Sequence, residues 1–125
     1  MRISRGNCVT AFTLPHEYFA PDLLFAEAAN TIWKKTRRGE VSLEDGSRLV
    51  ADIGRVAVES VSCRALAEDA HALANAVGQT VHDALYVALA VRLDTRLITA
   101  DTRLAATLSS VPTLAGQVQL VHRFE

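Results

Sequence analysis

The sequence is poor in the features that mark several large protein classes. Its two cysteines, Cys8 and Cys63, are too few for a disulfide framework. With four scattered histidines they show no zinc-finger spacing. No apolar run approaches the roughly 18 residues of a membrane span. Arg2 and Arg5 are not followed by an apolar stretch, so no signal peptide is expected, and the reducing cytoplasm is the expected compartment. The formal net charge is only −1. With a pI near 6.4, that excludes a basic, non-specific nucleic-acid coat. It does not exclude a nuclease, whose metal site can be acidic while its rim is basic. No P-loop, dinucleotide fingerprint, H-E-x-x-H or G-x-S-x-G occurs.

What is present is a chain of 125 residues, half of them apolar. Such a chain is long enough for one domain with a real core, and high apolar content with low net charge excludes global disorder. Twenty alanines predict a largely helical chain. No repeat, low-complexity tract or interdomain linker interrupts it.

Pro15 and Pro21 bracket a short strand over His16 to Ala20. A long helix from about Asp22 to Arg38 follows, with Leu24, Ala28 and Ile32 at i, i+4 and i+8 and Gly39 as its C′ residue. Ser42 and Asp45 read as a capping box opening a second helix, to about Gly54. Val56 to Val61 is β-like. Further helices are expected over Arg64 to Val77, ending at Gly78, and from Thr80 as N-cap to about Leu93. Leu97-Ile98-Thr99 is a compact strand, Thr102 to Leu108 a short helix and Val118 to Val121 a last strand. Strands alternating with helices predict an α/β domain with a mostly parallel sheet, whose ligands sit beyond the carboxyl ends of the strands.

Three carboxylates gain meaning from that rule. Asp101 directly follows a strand, where it can serve a site, cap the next helix, or do both. Asp83 lies in the first turn of a helix that is apolar nearly all round, at capping-box spacing from Thr80. Glu27 lies beside the apolar stripe of the first helix; it either points to solvent or is paired or bound to a metal. Together at one end of a sheet, the three would suit Mg²⁺ or Mn²⁺, hard cations that take oxygen ligands. Metal-assisted phosphodiester hydrolysis is the chemistry such a site supports.

Three segments carry a resemblance: Ala20-Pro21-Asp22-Leu23-Leu24-Phe25-Ala26-Glu27-Ala28-Ala29-Asn30, then Thr80-Val81-His82-Asp83-Ala84-Leu85-Tyr86-Val87-Ala88-Leu89-Ala90, then Leu97-Ile98-Thr99-Ala100-Asp101-Thr102-Arg103-Leu104. In order and separation they resemble the PIN-domain family, in particular the VapC-type toxin ribonucleases of bacterial toxin–antitoxin pairs. The match runs over about residues 16 to 122 of a single expected domain, with residues 1 to 15 atypical. The resemblance implies a three-layer α/β fold and a metal-dependent endoribonuclease. Glu27, Asp83 and Asp101 match its metal-binding carboxylates, and Thr99 matches a position that supports the site. It also implies an RNA substrate, a cognate antitoxin and a homodimer.

One departure stands out. The family opens with a strand ending in an aspartate, whereas here no acidic residue precedes Glu17. The first strand and much of the first helix are therefore expected to be missing. Even a strand over Cys8 to Phe12 would leave too few residues for a parallel crossover. Two readings follow: a chain that begins downstream of the family's start, or a degenerate copy that binds a partner without cutting. Lys34, Lys35, Arg37 and Arg38 form the one dense basic cluster, which complements a helix dipole or contacts RNA phosphates. Arg103, two residues after Asp101, can meet a phosphate or a surface carboxylate. Trp33 and Tyr86 are expected in the core or an interface rather than as base-stacking platforms.

Overall fold

The computed structural model describes residues 2–4 and 17–121. The strand considered over Cys8 to Phe12 lies outside them. The elements are β1 (Arg2–Ser4), β2 (Tyr18–Pro21), α1 (Leu23–Arg37), α2 (Leu43–Ile53), β3 (Glu59–Val61), α3 (Cys63–Val77), α4 (Val81–Arg92), β4 (Arg96–Thr99), α5 (Thr102–Ser109) and β5 (Val118–Leu120). A turn of 3-10 helix, Ala115–Gln117, leads into β5. The chain thus adopts an α/β fold with short parallel strands. It divides into two compact units, Met1–Pro21 with Val58–Glu125, and Asp22–Ala57.

The first unit holds a five-stranded sheet in the order β3-β2-β1-β4-β5. β2 pairs with β3 in parallel, Phe19 opposite Glu59 and Pro21 opposite Val61. β4 pairs with β5 in parallel, Leu97 opposite Val118 and Thr99 opposite Leu120. The strand between these pairs runs the other way. β1 is antiparallel to β2 and to β4, with Ile3 opposite both Phe19 and Leu97. The centre of the sheet, where sequence reasoning leaves a gap, is therefore occupied by a strand of reversed direction. An antiparallel neighbour needs no helical crossover, so a short N-terminal segment can fill this place.

α4 explains why the core sits where it does. Ala84 through Ala90 are all buried, because the helix packs on β2, β1 and β4 and also along α3. A helix that is apolar all round requires partners on several sides. Its start is set by Thr80, whose hydroxyl accepts the Asp83 N–H at 3.2 Å. α3 starts at Ser62, whose hydroxyl accepts the Arg64 N–H, and buries Leu66 and Ala70, one turn apart. It ends at Gly78, which takes φ +72°, a conformation natural to glycine. α5 buries Leu104, Ala105 and Leu108 and packs on β4 and β5. Leu66, Tyr86, Leu89, Leu97, Leu104 and Leu108 are the large side chains of this core, each worth roughly 1.5–3 kcal/mol of burial.

The second unit is the α1–α2 pair. α1 closes with a Schellman arrangement: Gly39, at φ +74°, donates its N–H to Thr36 O, and the Glu40 N–H reaches Lys35 O. α2 opens at Ser42, whose hydroxyl accepts the Asp45 N–H at 3.0 Å. The two helices meet closely at Gly46, where an added Cβ would lie 3.0 Å from Thr36 Oγ1 and 3.3 Å from Ile32 Cγ2. Among the described residues, no helix is long and apolar enough to cross a membrane.

Candidate active site

Asp101 occupies the turn between β4 and α5. Its Oδ1 accepts the N–H groups of Arg103 at 3.0 Å and Leu104 at 3.1 Å, so it caps α5 in the way its position predicts. Both bonds fall on one oxygen, which leaves Oδ2 for another role. The turn is held from behind by Thr99. That residue is buried in β4, and its hydroxyl accepts the Asp101 N–H at 3.0 Å while its carbonyl accepts the Val121 N–H at 2.8 Å. β4, its neighbour β5 and the cap of α5 together fix where the Asp101 carboxylate emerges.

Asp83 stands in the first turn of α4, half-buried. The rise of an α-helix puts it about 14 Å along the axis from Arg92. A negative group there is favoured by the helix dipole. Glu27 lies in the second unit, on α1, where it is exposed; the Thr31 hydroxyl donates to its backbone carbonyl at 3.0 Å. Carboxylate oxygens are the donors that Mg²⁺ and Mn²⁺ prefer, so the chemistry of this donor set fits a hard cation. Among the described residues, no three His, Cys, Asp or Glu side chains gather into a ready-made metal-holding group.

The basic residues are exposed, as a solvated helix end requires. Lys34, Lys35 and Arg37 form the last turn of α1, with Arg38 as its C-cap. Lys35 meets Glu40 at 3.7 Å. Arg103 is exposed on α5. Tyr86 is in the core, as expected. Trp33 is not. It is 54% exposed, with the Arg37 guanidinium 5.1 Å from its ring centroid, so a core role is corrected to a surface one. The reason is helical phase: Trp33 falls beyond the Leu24, Ala28, Ile32 stripe rather than within it. A groove of about 510 Å³ between α3 and α4 also escaped sequence reasoning. It is lined by Ala72, Leu73, Ala76, Ala88 and Val91, with Asp69 and Arg92 3.9 Å apart at its polar part.

Over 97 residues the chain is 36% identical to Ribonuclease VapC3 of Pyrobaculum aerophilum, a stretch that covers 76% of this chain and 74% of that relative. No family model matches the sequence.

Proposed function

Because the chain belongs to the VapC-type ribonucleases of the PIN-domain family, we propose that it is the toxin of a toxin–antitoxin pair and hydrolyses RNA phosphodiesters with Mg²⁺ or Mn²⁺. Asp101, Asp83 and Glu27 would hold the metal. The observation that carries this reading is the Asp101 turn, where one carboxylate oxygen locks the helix and the other is left for a cation. Mg²⁺ is commonly held by one or two carboxylates plus substrate phosphates, so a complete cage of protein ligands is not required beforehand. The metal, when bound, supplies an activated water and neutralises charge on the phosphate. The chain's own contribution is to fix the carboxylates and to meet the phosphates. Thr99 holds the Asp101 backbone, and Lys34, Lys35, Arg37, Arg38 and Arg103 supply positive charge.

The same reading implies an antitoxin and a homodimer. The apolar groove between α3 and α4 supports a helical partner, which would lay its apolar face there. A second reading, a binder that does not cut, draws support from the central strand: β1 reads Arg-Ile-Ser and carries no carboxylate.

The test is to incubate the chain with structured RNA in Mn²⁺, in Mg²⁺ and in EDTA, beside Asp101→Asn. Cutting that needs metal and is lost in the variant is the expected result. RNA retained but uncut by the folded chain establishes the binder instead.

A further inference from the structure

The exposed side of α1 brings together residues that the proposed hydrolysis does not fully use. At 3.6 residues per turn, Glu27, Asn30, Lys34, Arg37 and Arg38 share an arc of about 100° on one side of this helix, and Trp33 borders it. All six are exposed. The opposite side carries Leu24, Phe25, Ala28 and Ile32. Lys35 points apart from the arc and is paired with Glu40. Among the described residues, Lys34, Arg37 and Arg38 are in no ion pair. The arc thus holds a line of cations outside any ion pair among the described residues, beginning about 10 Å along the axis from Glu27 and ending about 17 Å from it. Beside them lies an indole with a guanidinium over one face and more than half its surface in solvent.

Cations alternating with an accessible aromatic ring match single-stranded nucleic acid. Every base has a face that stacks, and every linkage adds a phosphate. We propose that the carboxyl-terminal half of α1 is a single-strand RNA track, in which Trp33 stacks on a base and Lys34, Arg37 and Arg38 hold the adjoining phosphates. The inference rests on the ribonuclease reading and deepens it: the track seats unpaired RNA a few nucleotides from the carboxylate at Glu27. Arg37 serves twice, sandwiching the indole from behind while its charge faces the strand.

Trp33 is the only tryptophan in the chain, so its emission reports this surface alone. The experiment titrates the native chain, in EDTA to prevent cutting, with a labelled unstructured RNA of about ten nucleotides. Label anisotropy and tryptophan emission are read together. Quenching that saturates in step with anisotropy is expected. Trp33→Ala should weaken binding roughly tenfold, Trp33→Phe should retain most of it, and a duplex of the same sequence should bind less well. Circular dichroism verifies that each variant is folded.

RNA binding with unchanged emission, equal affinity of Trp33→Ala, or no binding at all overturns the track. So does an emission change that follows protein concentration without RNA, which would make this side a protein interface. Metal-dependent cutting is scored separately. A chain that cuts RNA while Trp33 stays silent therefore loses the track and keeps the ribonuclease assignment.

Discussion

At the scale of single residues, Asp101 divides two tasks between two substitutions. Asparagine caps a helix as well as aspartate does, so Asp101→Asn should leave the urea midpoint almost unchanged. It should cut metal-dependent RNA hydrolysis by about a hundredfold or more, since it removes the charge a cation needs. Asp101→Ala should lose the same activity and about 1 kcal/mol of stability besides. Comparing activity and denaturation for the two variants separates helix capping from chemistry. Thr95 offers a change of opposite sign. It is 6% exposed, and its hydroxyl has no hydrogen-bond partner among the described residues. Thr95→Val keeps the branched shape and the Thr95 N–H bond to Ala90 O. It should raise stability by about 1 kcal/mol, and a lower melting temperature would contradict this.

At the scale of elements, two glycines act for different reasons. Gly46 lies inside α2, where alanine would ordinarily stabilise a helix by about 1 kcal/mol. Here its Cβ would press on Thr36, whose hydroxyl is committed to Ile32 O, so Gly46→Ala should instead destabilise by about 1–3 kcal/mol. Gly78 has open space around it and a positive φ; Gly78→Ala should cost about 1 kcal/mol through backbone strain alone. Thermal melts of both test the distinction. These elements also show what could be read in advance. The caps at Ser42 and Thr80 and the stops at Gly39 and Gly78 depend on neighbours within a few residues, and the burial of Ala84–Ala90 shows in an apolar run with no polar face, so each was legible. The reversed direction of β1 depends on β4, more than ninety residues away, and was not. Of the core and interface alternatives for Trp33, exposure removes the core one: aromatic character suggests burial, whereas its helical phase decides the matter. The candidate site divides likewise. Asp101's local turn could be foreseen from neighbouring residues, whereas any grouping of carboxylates far apart in sequence depends on tertiary structure.

At the scale of the whole molecule, charge is nearly balanced, at −1 overall. Long-range attraction to RNA is therefore weak, and affinity should come from local contacts. If three cations of α1 each displace one counterion from a single strand, log affinity should fall against log salt with a slope of about −2. Lys34→Gln should make that slope shallower by about 0.7. A steep slope unaffected by changes on α1 would place the contacts elsewhere.

The reversed central strand also has a consequence for biosynthesis. Arg2 pairs with Ile98, so β1 leaves the ribosome long before the strand that must pair with it. At 5–20 residues per second that interval is roughly 5–20 s. During it, β1, β2 and β3 can already pair with one another, but β1 presents an unfilled edge to any passing chain. Neighbouring nascent copies on one polysome would be competitors for that edge. The order of translation thus makes local chain density, as much as sequence, a determinant of how much correctly closed sheet the cell obtains.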